Sequence, residues 1–338
     1  MVNSLLTEKI TTQTFFMKLR VLHHDHCFDG FASAAVFSRF FVEKIDPTAE
    51  VSFNGLAHKP NQKFIEEELF DGDQNAIVDF KYSPTSRLTW WFDHHQSAFL
   101  STDDEAHFHS THWPTKFYDP AYKSCTKFIA DTVAEKYGFN SNDLDELIHW
   151  ADIIDGAQYE DSKTAVELKA PAMQLMLVIE ASRDSELMQR IIHRMQSKSM
   201  SEIISDPAVD AEFQPLYARH MKMIDMIRDS ARFEQGVIYF DLSAEDAEGY
   251  SKFIPYYLFP ESIYSVGVSL SAHRSKISVG FNPWSPSLRR HNLASICERY
   301  NGGGHAVVGA ISFRPDEIEH ARRAAGEIVE ELKTAGDQ

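Results

Sequence analysis

The sequence predicts an α/β protein of two domains: an N-terminal one on a parallel sheet, joined by a helical linker to a smaller α/β one. Three observations carry this. In the N-terminal third, apolar strand-like runs each end in Asp or His and are separated by helical segments, the pattern of a parallel sheet. Helical spacing then dominates from Lys123 to about Arg232. After Gly236 the period switches back to strands. At 338 residues the chain is long enough for two cores.

Taken in order, Lys18–His24 reads as a short strand that stops at polar residues, and a helix follows from Gly30 to Val42. Asp73–Asp79 is a second strand ending in a carboxylate, with Pro84 closing the turn after it. Leu88–Phe92 is a third, running directly into Asp93-His94-His95. Residues 98–121 form a loop rich in His, Asp, Ser and Pro, and the helical stretch includes Ile148–Asp152, 183–204 and an amphipathic run from Pro207 to Arg232. Val237–Phe240, Ser262–Leu270 and Lys276–Gly280 are strands, followed by a helix at Leu293–Tyr300, a Gly-rich turn and a last strand–helix pair. The expected divisions are an N-terminal extension 1–16, a catalytic domain 17–205, a linker helix 206–234 and a substrate-binding domain 235–338.

The composition, 43% apolar and 25% charged, is that of a globular protein. No run approaches the ~18 apolar residues of a membrane span. The first residues lack the apolar core and cleavage site of a secretion signal, so a cytoplasmic location is expected. The three cysteines, Cys27, Cys125 and Cys297, are widely spaced and fit a reducing compartment. A net charge of −17 argues against a protein that grips long duplex DNA, whose affinity comes from phosphate neutralisation. An anionic substrate must then be small and held by a local cluster, or by metal ions that invert the local charge.

The chemistry concentrates at the strand ends. His23, His24, Asp25, His26 and Asp29 follow the first strand, Asp79 ends the second, Asp93-His94-His95 ends the third, and Asp152 and Asp155 lie on a later helix. Each alone reads as a cap or a solvated side chain. Together, at the carboxyl edge of one sheet, they converge where open α/β sheets bind ligands. Carboxylates and imidazoles of this kind suit Mn²⁺, Mg²⁺ or Zn²⁺. Two such ions about 4 Å apart activate water and neutralise a phosphoryl group in an in-line displacement.

Five segments, in this order, resemble the motifs of the DHH phosphoesterases with a C-terminal DHHA1 domain. They are His24-x-x-Cys27-x-Asp29-Gly30-Phe31-Ala32, Val78-Asp79-Phe80, Phe92-Asp93-His94-His95, Ala151-Asp152 and Asn301-Gly302-Gly303-Gly304-His305. The resemblance implies one or two Mn²⁺ ions held by His24, Asp29, Asp79, Asp93, His94 and Asp152, with Asp79 bridging. It implies that His95 either contacts the scissile phosphate or acts as an acid. Asp155, three residues after Asp152 on a helix, faces the same side and is the reserve ligand. Asp25 is a further candidate. Cys27 departs from the common motif, which has Asp there. A thiolate favours Zn²⁺ or Fe²⁺ over Mg²⁺, a protonated thiol leaves one position weak, and a third reading makes Cys27 a small buried residue. Strand alternation would point Asp25 and Cys27 to one face and His26 to the other.

Gly302, Gly303, Gly304 and His305 form the second candidate site, for substrate phosphate or nucleotide, because consecutive glycines let backbone N–H groups approach an anion. Arg274 and Lys276, and Arg289-Arg290-His291, are candidates for a basic rim, Arg274 foremost. His107-x-His109-x-x-His112 reads as a solvated or lid segment, Trp90 and Trp91 as sheet core, and Phe281, Trp284 and Tyr300 as candidate base-stacking partners. The expected function is metal-dependent hydrolysis of a small nucleotide phosphoester or short oligonucleotide in a cleft between two domains, with no membrane partner and with room for an oligomer. Family members act on nanoRNA, nucleoside bisphosphates, cyclic dinucleotides, pyrophosphate or single-stranded DNA. The competing readings are a nucleotide-binding regulator with a degraded metal site, and a polyphosphate or pyrophosphate hydrolase.

Overall fold

The computed structural model describes residues 16–59, 62–244 and 249–334. The expected extension 1–16 therefore lies, apart from Phe16, outside the described residues. The chain divides into two compact units, residues 1–158 with 182–203, and 159–181 with 204–338. Among the described residues, no helix is long and apolar enough to cross a membrane.

The first unit is built on β1 (Lys18–His24), α1 (Phe28–Lys44), β2 (Glu50–Leu56), β3 (Gln74–Val78), β4 (Trp90–Asp93), α2 (Thr102–His109), β5 (Lys116–Tyr118), α3 (Cys125–Tyr137) and α4 (Asp145–Asp155). Its described strands form a five-stranded sheet in the order β2-β1-β3-β4-β5, every pair parallel. All their carboxyl ends therefore lie on one edge. Helix α1 buries Phe31, Phe37, Phe40 and Phe41, each such ring contributing roughly 2–3 kcal/mol by area. Pro47, three residues past its end, cannot extend the helix. Gly30 is obligatory: a Cβ there would lie 2.2 Å from the His24 carbonyl oxygen, so the first turn of α1 rests directly on the end of β1. Trp91 and Tyr82 fill a core cluster that also takes in Phe99 and Phe108, and Trp90 packs on Phe37 and Phe40. Both tryptophans are sheet core, as expected.

Residues 98–121 are not the expected loop. They hold α2 and the edge strand β5, and Phe108 packs 5.0 Å from the Trp91 ring while Tyr82 Oη contacts His107 Nδ1 at 3.0 Å. The aromatic contacts, invisible to a polarity count, hold this segment on the sheet rather than leaving it a solvated lid.

After α5 (Ser162–Glu167) and α6 (Pro171–Ala181), which pack in the second unit, the chain returns to the first with α7 (Ser185–Met195). Then come α8 (Met200–Ile204), α9 (Pro207–Ser230), β6 (Arg232–Glu234), β7 (Val237–Asp241), α10 (Ile254–Leu258), β8 (Tyr264–Leu270), β9 (Ser275–Phe281), α11 (Leu293–Glu298), β10 (Gly303–His305), β11 (Val308–Phe313) and α12 (Ile318–Lys333). Helix α9, in the segment expected as linker, packs on α6 and β7. The sheet of this unit runs β10-β11-β9-β8-β7-β6 and is antiparallel except between β7 and β8. Gln235 and Gly236, at φ 49° and 83°, make the tight β6–β7 hairpin, where two positive φ values match the strand twist. Ile277, Val279 and Ile311 meet Ala321, Ala325 and Ile328 of α12 in its core.

Candidate active site

Three neighbouring strands of the first sheet deliver the central groups. β1 ends at His24, β3 at Val78 with Asp79 next, and β4 at Asp93 with His94 and His95 next. Asp79 follows its strand rather than ending it, at φ 56°, a left-handed conformation that Asp tolerates better than most residues. Its amide donates to the Phe92 carbonyl at 2.9 Å, which turns its carboxyl off the sheet. There Asp79 Oδ2 lies 3.4 Å from His24 Nδ1, and Oδ1 lies 3.4 Å from His94 Nε2 and 3.8 Å from His95 Nδ1. Asp29, from the first turn of α1, and Asp155, from the end of α4, approach His94 Nε2 at 3.7 and 3.5 Å. Two donor sets result, His24–Asp79–His95 and Asp29–Asp79–His94, each with its ligand atoms within 4.8 Å of one another. Asp79 is common to both.

The electrostatics are those of a cluster short of cations. Asp79 is fully buried, which by itself would favour its neutral form, yet contacts with His24 and His94 and the charge of His95 outweigh this and hold its carboxyl below the usual range. His94 is correspondingly pushed up to about 10: burial opposes its charge, but the Asp79 contact and the Asp29 carboxylate win. Asp29 is raised well above the ordinary range by burial and then by Asp79 and Asp155, and Asp155 is raised to about 6 by burial and by Asp79. Like charges this close cannot all ionise unless something positive joins them.

Whether a metal fits is answered by the unpartnered atoms. Both oxygens of Asp79, Asp93 Oδ2, His24 Nδ1 and His94 Nε2 are buried without a hydrogen-bond partner. Two ligands about 2.1 Å from a shared ion sit roughly 3.0–3.4 Å apart, close to the separations found here. His94 Nδ1 meets the Tyr122 carbonyl at 3.1 Å, and a proton donated there aims Nε2 at the carboxylates, as a backbone carbonyl commonly orients a metal-binding imidazole. The nitrogen and oxygen donors suit Mn²⁺, with Mg²⁺, Zn²⁺ and Fe²⁺ as alternatives. His24, Asp29, Asp79 and His94 would hold it, with His95 and Asp155 in reach.

The other expected residues are placed differently. Asp93 Oδ1 accepts from the His94 and His95 amides and from His95 Nδ1, the last at 2.7 Å, so Asp93 orients the His95 ring. Asp152 Oδ1 accepts from Ser124 Oγ at 3.1 Å, and Asp152 is in neither donor set. It is Asp155, the reserve, that reaches His94. Asp25 and Cys27 do not alternate as expected, because β1 has already ended; Asp25 and His26 form a turn, with His26 at φ 52°, and Cys27 caps α1 without a side-chain bond. The Cys27 thiol is pushed well up by burial and by Asp79, Asp29 and Asp155, which keeps it protonated. Asp29 carries a second duty: its carboxylate accepts from the Cys125 amide at 2.6 Å and from the amide and hydroxyl of Thr126, closing the start of α3.

Sequence reasoning missed His58. Its ring lies 4.9 Å from that of His24 and stacks on Phe80 at 4.6 Å. It follows β2, which the sequence reading did not recognise as a strand; a fourth parallel strand would have announced it. Arg183 was missed as well, and its guanidinium donates to His26 Nε2 at 2.8 Å.

In the second unit, Gly303–His305 is a short strand rather than a turn, and among the described residues it pairs with β11 at the sheet's edge. Gly304, at φ 150°, could not carry a side chain, since a Cβ would meet the Val308 carbonyl oxygen at 2.2 Å. His305 is exposed. Arg274 precedes β9, four residues from Ser278, which is in register with Gly303 across β11, or about 13 Å along the strand. Arg289, Arg290 and His291 are at the glycine end, where the Arg290 and His291 amides donate to Tyr264 Oη. Trp284 is committed to packing, its indole donating to the Tyr159 carbonyl at 3.0 Å, and Tyr300 Oη donates to Glu327.

No protein-family profile matches the chain, and no curated protein matches its sequence. Solved structures do match. A pGpG-specific phosphodiesterase, PggH, from Vibrio cholerae superposes with a TM-score of 0.67 at 18% identity, over 95% of this chain and 100% of that one. A DHH domain from a member of the s1p family of ribosomal proteins gives 0.58 at 12%, over 94% and 88%. RecJ from Thermus thermophilus, in complex with Mn²⁺, gives 0.54 at 14%, over 93% and 52%. At these identities the superpositions show the fold alone: it is the fold of these DHH structures, with a second α/β unit.

Proposed function

We propose that this chain, which has the DHH fold, is a metal-dependent phosphoesterase acting on a small nucleotide phosphoester or a short oligonucleotide. One observation carries the reading. Asp79 is wholly buried, both of its oxygens lack a hydrogen bond, and it is shared by two nitrogen- and carboxylate-bearing donor sets at the carboxyl edge of a parallel sheet. The fold it shares with PggH and with Mn²⁺-bound RecJ supports the same reading.

On this proposal His24, Asp29, Asp79 and His94 hold one or two ions, of which Mn²⁺ is the first candidate, with Asp155 taking the place first given to Asp152. The bound ions supply Lewis acidity and a water of lowered pKa. Asp93 is a positioning residue: it fixes His95 through Nδ1 and leaves Nε2 to donate to a phosphate oxygen or to the leaving group.

The test is turnover of pGpG, short RNA, a 3′,5′-bisphosphate, a cyclic dinucleotide and pyrophosphate by the full chain with Mn²⁺, before and after chelation. Chelator-sensitive hydrolysis of at least one nucleotide substrate is expected. Binding without hydrolysis in every case would instead favour a regulatory nucleotide-binding protein, the reading that the protonated Cys27 keeps in play.

A further inference from the structure

The three imidazoles around Asp79 are not held alike. His94 is oriented by the Tyr122 carbonyl and His95 by the Asp93 carboxylate. Among the described residues His24 Nδ1 is buried with no hydrogen-bond partner, and the His24 side chain is more open than that of His94, 21% exposed against 7%. A metal-binding imidazole still needs its ring orientation fixed by its surroundings. At His24 those surroundings are other rings.

Strand β1 stands between β2 and β3. Leu56, the last residue of β2, is in register with His24, and its carbonyl accepts from the Asp25 amide at 3.0 Å. The chain therefore leaves β2 alongside the end of β1. Two residues on, the His58 ring meets that of His24 edge-on, with centres 4.9 Å and planes 64° apart. The same ring stacks on Phe80 at 4.6 Å and 21°. Phe80 is 1% exposed and directly follows Asp79. A closed circuit results, from Asp79 through Phe80, His58 and His24 back to Asp79, whose Oδ2 lies 3.4 Å from His24 Nδ1. Edge-on and stacked pairs have preferred geometries, so they set the plane of a ring as well as filling space. We propose that His58 is a positioning residue of the metal site: by bridging Phe80 and His24 it fixes the His24 ring with Nδ1 facing Asp79. The inference rests on the reading of the Asp79 cluster as a metal site, and it concerns the His24–Asp79–His95 donor set.

The test is the Mn²⁺ affinity of the full chain, read from the electron paramagnetic resonance signal of the unbound ion and so independent of turnover. Wild type, His58→Ala and His58→Phe are compared. An aromatic pair of this kind is worth about three- to tenfold in an equilibrium, so His58→Ala should weaken Mn²⁺ binding by about that factor. His58→Phe keeps both ring contacts and should bind Mn²⁺ as the wild type does. An unchanged affinity in His58→Ala would overturn the proposal and leave the metal site standing. A loss that His58→Phe does not restore would overturn it too, because a His58 nitrogen would then be the group that matters. A wild-type chain that takes up no Mn²⁺ would remove the metal site itself, and the proposal with it.

Discussion

Asp79→Asn separates the role of the shared carboxylate from the fold around it. The residue sits at φ 56°, and Asn enters that region as readily as Asp, whereas Ala would add a backbone penalty of roughly 1–2 kcal/mol. The amide bond to the Phe92 carbonyl survives. What is lost is one negative charge and the one donor common to both sets. If the metal-supported stabilisation of the transition state is worth several kcal/mol, turnover falls by about a thousandfold, at 1.36 kcal/mol per decade. A second readout does not involve turnover. Mn²⁺ at a hundred times its Kd stabilises a native site by about 2.7 kcal/mol, which for a unit of this size raises the unfolding midpoint by about 5–10 °C. In Asp79→Asn that increment should drop below about 2 °C. The metal-free midpoint should also fall by a few degrees, because the carboxylate is ionised and balanced by imidazoles in the native state, so the comparison is of increments. A variant that keeps the full Mn²⁺ increment, or stays within tenfold of wild-type turnover, refutes the assignment.

Three further outcomes follow from particular contacts. Asp155→Asn should lower the Mn²⁺-dependent increment in scanning calorimetry, while Asp152→Asn, which disturbs only the Ser124 contact, should cost about 1 kcal/mol of stability and leave the increment alone. Cys27→Asp places another carboxylate beside Asp29, Asp79 and Asp155, so the metal-free midpoint should fall and the Mn²⁺ increment grow; an unchanged increment would put Cys27 outside the ion's reach. Asp241 has its carboxyl held down because bonds from Ser243 and Arg322 outweigh its partial burial. A depressed carboxylate gives stability that is present above the unfolded value near 4 and is lost as pH falls through the lower native one. Asp241→Asn should therefore cost about 1–2 kcal/mol at neutral pH and weaken the pH dependence of unfolding below about pH 4, as urea melts at a series of pH values would show.

A parallel sheet puts all its carboxyl ends on one edge, so recognising their strands was enough to place His24, Asp79 and Asp93-His94-His95 together. The placement of the helix-borne carboxylates could not be read the same way. Asp152 and Asp155 share a helix face, and spacing cannot say which one a neighbouring hydroxyl will capture; Ser124, fixed at the start of α3, takes Asp152 and leaves Asp155 for His94. His58 was hidden behind β2, a half-buried edge strand in which Ser52 and Asn54 blur the apolar alternation. The 98–121 segment failed for the opposite reason: its polar residues were counted, and the three aromatic rings that fasten it to Trp91, Phe99, Phe108 and Tyr118, were not.

The acidic balance of the chain and the chemistry proposed for it are then consistent rather than opposed. At −17 the protein as a whole repels polyanions, and the Asp29, Asp79 and Asp155 carboxyls cannot all ionise together unless a cation joins them. The guanidinium of Arg183 is engaged by His26. A phosphoester therefore has no reason to enter until the local charge is inverted, and the side chains best placed to bring that about are ones that take up divalent cations. Cation binding must precede substrate binding on this arrangement. The apparent substrate affinity should then depend on metal concentration, and long nucleic acid should remain a poor substrate even when the site is loaded, because the surface beyond it still repels the flanking phosphates.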